Sequence, residues 1–295
     1  MKTQAATLWH RPEPCILETS LGPVEVAEFG VGPAVICLHG AMGGYDQSLI
    51  LASTLGVAGF RYLAVTRPGY LGTPLASGRS AEAQADLLAA LLDALDLSDA
   101  LVMAVSGGGP AALYFGLRHA GRCRGLVLAS TPAQAEDNRP PLAFKVMGLM
   151  VHLPPIARKL KRKAVEEPEA MTRRTVTDPA LFESLLKDEE AWRLMKELQV
   201  STMDRMAERM KGVHNDIRLS GSLNAPIQDM KPPALLLHGT KDPMLPFERH
   251  AAHFATQVPS AELVALEGGE HPAIFTHRAL ARARAAAFLR RCVSA

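Results

Sequence analysis

The sequence predicts an α/β fold with a doubly wound, mostly parallel sheet at its core and a helical segment inserted into it. Short, continuously apolar runs alternate along the chain with helical patterns. Such runs are typical of strands that a parallel sheet buries on both faces. The alternation stops at Pro132 and resumes after Pro233, which indicates a discontinuous core.

The strands begin with a segment that differs from the rest. Residues Ile16–Phe29 contain two short runs on either side of Leu21-Gly22-Pro23, which predicts an antiparallel hairpin at the sheet edge. Each of six later runs is apolar over nearly its whole length and predicts a buried strand. These runs are Ala34–Leu38, Tyr62–Val65, Ala100–Val105, Gly125–Ala129, Ala234–Leu237 and Glu262–Leu266.

Helical patterns lie between the predicted strands. The clearest is Ser80–Leu97, which opens on a serine suited to an N-cap and carries leucines at helical spacing. Three more patterns follow later strands: Pro110–His119, Phe247–Thr256 and Arg278–Arg291.

The segment between Pro132 and Pro233 shows no convincing strand. One helix is predicted to begin at Asp178-Pro179, and another spans Ser201–Lys211, where three methionines share a face. We therefore predict a core domain of residues 1–131 and 234–295, with a helical cap, or lid, of residues 132–233.

Composition narrows the functional class. The chain has 295 residues, 48% of them hydrophobic, and a formal charge of +2, so nucleic acid is not an expected partner. No run is long enough to span a membrane, and the N-terminus has no apolar signal segment. The four cysteines lack CxxC spacing and the histidines form no ligand cluster. We expect a cytoplasmic protein without a metal.

The first chemical motif is Ser106, which lies directly between an apolar strand and Gly107-Gly108-Gly109. A serine at a strand-to-helix turn is the context of a nucleophile elbow. The turn requires small residues two positions away, and these are Ala104 and Gly108. The alternative is a glycine-rich turn that binds a phosphate or nothing.

Two further polar residues follow strands. Asp242 comes just after Ala234–Leu237, and His271 comes after Glu262–Leu266 and a pair of glycines. The chain order of Ser106, Asp242 and His271 suits a catalytic triad on an open sheet, whose carboxyl edge binds ligands. Taken singly, Asp242 could be a helix cap or turn residue and His271 a surface histidine.

The segment His39–Gly44 follows the strand Ala34–Leu38. An oxyanion requires two fixed N–H donors. We assign these to Gly107 and Ala41, with Met42 the less favoured choice for the second. His39 is interpreted as a residue that holds the loop by bonding to the backbone, rather than as a base.

These segments together resemble the α/β-hydrolase superfamily, closest to its serine hydrolases with a helical cap. The resemblance rests on LHGAMGG, TRPGYLGTP, AVSGGGPAALYF, LLHGTKDPMLP and GGEHP. It implies an eight-stranded, mostly parallel sheet, a cap after the sixth strand and no cofactor. The chain departs from the common pattern at Ala104 and at Thr66, where relatives often carry Asp. Members with an Asp nucleophile are disfavoured, because residue 106 is Ser.

The expected activity is hydrolysis of a carboxylic ester by Ser106, Asp242 and His271. The expected substrate is a small molecule with an apolar acyl or alcohol part; a homodimer is left open. Two alternatives remain: hydrolysis of a carbon–carbon bond in a dienoic or diketone acid, and a ligand-binding protein that retains a hydrolase pocket. The cap's methionine and aromatic residues are expected to form one pocket wall. The residues assigned to substrate binding are Met42, Phe144, Met147 and Trp192.

Overall fold

Eight strands form one sheet in the computed structural model, which describes residues 12–136 and 148–294. Their order across the sheet is β1-β2-β4-β3-β5-β6-β7-β8. The strands are β1 Cys15–Thr19, β2 Gly22–Phe29, β3 Ala34–Leu38, β4 Arg61–Val65, β5 Ala100–Val105, β6 Cys123–Ala129, β7 Ala234–Gly239 and β8 Glu262–Leu266.

Strand direction separates the edge hairpin from the rest of the sheet. Strand β1 pairs antiparallel with β2, and β2 pairs antiparallel with β4. Every other pair, from β4–β3 to β7–β8, is parallel. The predicted hairpin and the mostly parallel, eight-stranded sheet are therefore confirmed.

Helices cover both faces of the sheet. The core helices are α1 Tyr45–Leu55, α2 Ala81–Ala94, α3 Gly109–Arg118, α9 His253–Gln257, α10 Ala273–Thr276 and α11 Arg278–Ser294. In β3, Ile36 and Leu38 join an apolar cluster with α2 and α3, whereas Val35 and Cys37 join a second cluster with α1 and α11. This alternation confirms the doubly wound arrangement. Across the described ranges, no helix combines the length and apolar character that a bilayer span requires.

Every regular element described between β6 and β7 is a helix, and residues 130–136 and 148–233 contain no strand. The helix predicted at Asp178-Pro179 is confirmed: the Asp178 carboxylate accepts hydrogen bonds from the N–H groups of Ala180 and Leu181, at 2.8 and 3.1 Å. The helices are α4 Pro154–Glu166, α5 Pro168–Thr172, α6 Pro179–Lys187, α7 Glu189–Met203 and α8 Met206–Gly221.

The single helix predicted over Ser201–Lys211 is wrong. Helix α7 ends at Met203 and α8 begins at Met206, because Arg205 adopts a left-handed backbone conformation with φ of 50°. An arginine gives no sequence signal for such a break, which glycine or asparagine would have given. The methionines at 203, 206 and 210 nevertheless meet in one apolar cluster.

Helix α8 lies directly against the loop that follows β4. The Gly212 N–H donates to the carbonyl of Gly69 at 2.8 Å, and the Leu71 N–H donates to the carbonyl of Glu208 at 3.3 Å. A Cβ atom on Gly212 would lie 2.2 Å from the Tyr70 ring, so only glycine permits this approach. The contact fixes one helix of the inserted segment to the core.

Candidate active site

Ser106 lies at the turn between β5 and α3, with a positive φ of 49°. This conformation is strained for a residue with a Cβ and is a mark of functional turns. A Cβ on Gly108 would lie 2.8 Å from the carbonyl oxygens of Leu38 and His39, so the turn requires glycine there. The tight packing holds the Ser106 side chain at the carboxyl edge of the sheet.

Three side chains meet at this edge in one hydrogen-bonded chain. The Ser106 Oγ lies 3.0 Å from His271 Nε2, and His271 Nδ1 lies 2.8 Å from Asp242 Oδ2. Asp242 and His271 lie in the loops after β7 and β8. The structure thus brings together the three residues that the sequence analysis assigned to a triad. In this geometry Asp242 can orient the imidazole, and His271 can take the serine proton.

Asp242 is held in the ionised form. Its Oδ1 accepts hydrogen bonds from the N–H groups of Met244 and Leu245, at 2.9 and 3.0 Å. Burial of this side chain acts to raise its pKa, but the hydrogen bond and charge of His271, together with the two backbone bonds, lower the pKa below its usual value. Asp242 is therefore a carboxylate at neutral pH.

The loop after β3 lies beside Ser106. A Cβ on Gly107 would lie 3.3 Å from the backbone nitrogen of Ala41, so the two predicted donors are neighbours. Within the described ranges, the N–H of Ala41 donates to no protein acceptor. It is therefore available to a ligand, as an oxyanion donor must be.

His39 is fully buried under this loop. Its Nδ1 lies 2.6 Å from the carbonyl of Gly40, and its Nε2 accepts a hydrogen bond from the Arg67 N–H at 3.0 Å. Burial, reinforced by the charge of Arg67, holds the pKa of His39 well below its usual value. The ring is neutral and both nitrogens are occupied, in agreement with the loop-holding interpretation.

The low pKa of His39 predicts a loss of stability in acid. Below about pH 6.5 the unfolded chain binds a proton at this residue that the native chain does not. The free energy of unfolding therefore decreases as the pH is lowered. Replacing His39 by Gln should reduce the slope of the free energy of unfolding against pH, between about pH 6.5 and 5, by up to about 1.4 kcal/mol per pH unit. Urea unfolding at several pH values measures it; an unchanged slope would contradict the prediction. A uniform offset that persists at about pH 8 reflects only the general cost of the substitution.

A cavity of about 710 Å³ opens over Ser106 and His271, and Asp242 lies buried behind His271. Its walls combine the sheet edge with residues of α7 and α8, and they are mostly apolar. The inserted segment contributes Pro132, Leu198, Thr202, Val213, Asp216, Ile217, Leu219 and Ser220. The site is thus enclosed between the sheet and these two helices.

The residues assigned to substrate binding have different positions. Met42 lines the cavity. Trp192 does not: it packs against the core cluster that contains α1 and α11. Phe144 and Met147 fall outside the described residues. The described methionines of the inserted segment also lie away from the cavity wall, which aliphatic residues form instead.

A buried ion pair close to Ser106 was not predicted from the sequence. Arg67 donates to both carboxylate oxygens of Asp216, at 2.8 and 2.6 Å, and the Tyr70 hydroxyl donates to the same carboxylate at 2.6 Å. A Cβ on Gly107 would lie 3.0 Å from Asp216 Oδ2. An arginine two residues after a buried strand was the one available signal. No group of metal-ligating side chains occurs in residues 12–136 or 148–294.

The chain is similar to known proteins over most of its length. A family model described as alpha/beta hydrolase fold matches residues 33–278. An alpha/beta hydrolase fold protein from Nakamurella multipartita is 31% identical, with a TM-score of 0.84 over 94% of this chain and 99% of that chain. The AB hydrolase superfamily protein YisY of Bacillus subtilis (strain 168) is 26% identical over 86% of this chain and 90% of its own length. An esterase from Exiguobacterium antarcticum is 19% identical, with a TM-score of 0.65 over 93% of this chain and 98% of that chain.

Proposed function

Since the chain belongs to the α/β-hydrolase family, we propose that it is a serine hydrolase that cleaves carboxylic esters through an acyl-enzyme intermediate. The observation that carries the proposal is the hydrogen-bonded chain from Ser106 through His271 to Asp242 at the floor of the cavity. The inserted helices act as a cap, residues 132–233, that encloses the substrate.

In the proposed reaction, Ser106 Oγ attacks the ester carbonyl and His271 Nε2 accepts the serine proton. Asp242 stabilises the imidazolium that forms. The N–H groups of Gly107 and Ala41 bind the oxyanion of the tetrahedral intermediate. His271 then donates its proton to the leaving alcohol, and the acyl group remains on Ser106. Water, deprotonated by His271, attacks this ester, releases the acid and restores the serine.

The cavity favours an uncharged, apolar substrate. Among its described lining residues there is no lysine or arginine, and Asp216 already binds three donors. A dienoic acid would bring its carboxylate into this space without a cation to pair it, at a large desolvation cost. This observation favours ester hydrolysis over cleavage of a carbon–carbon bond.

A panel of p-nitrophenyl esters from acetate to decanoate, with one dienoic keto acid, tests the proposal. We expect turnover of the esters and covalent labelling of Ser106 by a fluorophosphonate probe. Turnover of the keto acid alone would replace the proposed reaction with the carbon–carbon alternative. Binding of an ester without turnover or labelling would instead indicate a ligand-binding protein.

Helix α8 forms part of the cavity wall, so a larger side chain there should change the preference for the acyl chain length of the ester. Replacing Ile217 by Phe should fill part of the cavity and lower kcat/KM for p-nitrophenyl octanoate by about tenfold or more relative to the acetate ester. The matched control is Ile217→Val, which leaves the wall apolar and open and should change the ratio by less than about threefold. An equal loss on both esters in Ile217→Phe would contradict the prediction.

A further inference from the structure

The loop that carries the Ala41 N–H is held by a guanidinium group from beneath. Arg67 Nε donates to the carbonyl of His39 at 2.9 Å, and Arg67 Nη2 donates to the carbonyl of Gly40 at 3.2 Å. The arginine is almost completely buried, with 2% exposure. It therefore has no water to satisfy it, and these carbonyls are part of its fixed environment.

The bond to Gly40 sets the direction of the Ala41 N–H. The carbonyl of Gly40 and the N–H of Ala41 belong to one peptide unit, and the described chain has no cis peptide bond. In a planar trans peptide these two groups point in opposite directions. Since Arg67 and His39 both bind the carbonyl, they turn the N–H away from themselves.

The position of Arg67 depends in turn on the inserted segment. Two further N–H groups, one on Nη1 and one on Nη2, form a bidentate pair with Asp216 of α8, and Tyr70 donates to the same carboxylate. A bidentate arginine–carboxylate pair fixes the orientation of the guanidinium plane as well as its charge. Backbone bonds from Gly212 and Glu208 hold the same helix to the Gly69–Leu71 loop.

We propose that Arg67 and Asp216 are positioning residues for the oxyanion donor Ala41, so that helix α8 of the cap is a structural part of the catalytic site. The inference rests on the proposed function. Arg67 is not part of the cavity wall, and in this role both residues act through the Gly40–Ala41 peptide. The oxyanion develops only in the transition state, so a misdirected donor costs the transition state more stabilisation than it costs the bound ester. The effect therefore falls on kcat rather than on KM.

The test compares Arg67→Lys with wild type. Lysine keeps the positive charge beside Asp216 but lacks the planar fork that reaches both carbonyls. For p-nitrophenyl acetate we expect kcat to fall by about 10- to 100-fold with KM within about threefold, since loss of a whole donor costs about 10²- to 10³-fold. Affinity for a boronic acid, which mimics the tetrahedral intermediate, should fall in parallel. A kcat within about twofold of wild type would overturn the proposal.

Asp216→Asn tests the cap side of the same contact. It distinguishes a role in positioning the loop from a purely electrostatic effect of the ion pair. Loss of the carboxylate exposes the Arg67 charge next to the developing oxyanion. If the pair acted only through charge, kcat would rise; if it positions the loop, kcat falls by about tenfold or more. An increase or no change would therefore overturn the proposal. Should either variant fail to fold, Tyr70→Phe, which removes one hydrogen bond to Asp216, should still lower kcat by about two- to fivefold.

The matched control is Glu190→Gln. Glu190 of α7 forms another ion pair between cap and core, with Arg278 at 2.6 Å, and makes no contact with residues 39–42. Its kcat should stay within about twofold of wild type. Wild-type protein that neither hydrolyses esters nor reacts with a fluorophosphonate would refute the proposed function itself. Active wild type with active Arg67→Lys would refute only the positioning role.

Discussion

Replacing Ser106 by Ala should abolish ester hydrolysis while leaving the fold intact. Removal of the nucleophile of a triad costs on the order of 10⁶-fold in kcat, because its members act as a unit. The Ser106 Oγ makes one side-chain hydrogen bond, to His271, so little stability depends on it. Initial rates with p-nitrophenyl butyrate measure the loss of turnover. Intact-mass detection of a fluorophosphonate adduct measures the loss of covalent labelling.

The matched control is Ser130→Ala. Ser130 follows β6 much as Ser106 follows β5, and it shares the positive φ, at 44°; Ser130 is buried, whereas Ser106 is half-buried. It is not part of the cavity wall, so its substitution should leave both turnover and labelling unchanged. Retention of more than about a tenth of wild-type activity in Ser106→Ala would show that another residue is the nucleophile.

The parallel sheet could be predicted because each of its strands contains a nearly continuous apolar run. Strands β3, β5 and β8 have the predicted bounds, and β4 and β6 extend the prediction by one and two residues at their N-terminal ends. Burial on both faces gives such runs a signal that does not depend on distant contacts. The position of the candidate site could be predicted from this sheet, since residues at the carboxyl ends of neighbouring parallel strands must share an edge. That geometry explains why Ser106, Asp242 and His271 lie together.

The details that escaped prediction depend on tertiary contacts. The Arg67–Asp216 pair joins residues 149 positions apart, and nothing near Asp216 distinguishes it from a solvent-facing helical aspartate. Apolar periodicity marks a buried helix face without showing whether it meets a cavity or another helix. The methionines of α7 and α8 were therefore assigned to the pocket wall, although Met195, Met206 and Met210 pack inside apolar clusters.

The carboxylate of Asp242 controls which nitrogen of His271 can accept a proton, and Asp242→Asn should expose this role. The Oδ1 atom is committed to the N–H groups of Met244 and Leu245, so the amide oxygen of Asn should occupy its place. The amide NH₂ then faces His271 Nδ1 and donates to it. The imidazole must carry its own proton on Nε2, where it can no longer accept one from Ser106. We expect kcat for p-nitrophenyl acetate to fall by about 10⁴-fold.

The control for this variant is Asp86→Asn. Asp86 also accepts a hydrogen bond from a histidine, His119, at 2.8 Å, but the pair lies outside the cavity wall. Its substitution should leave kcat unchanged. A kcat for Asp242→Asn above about a hundredth of wild type would show that another group orients His271. The described part of the chain offers no carboxylate in hydrogen-bond contact with His271 besides Asp242, and the segment after β6 reads Ser130-Thr131-Pro132. The geometry therefore ties the tautomer of the base to this one residue.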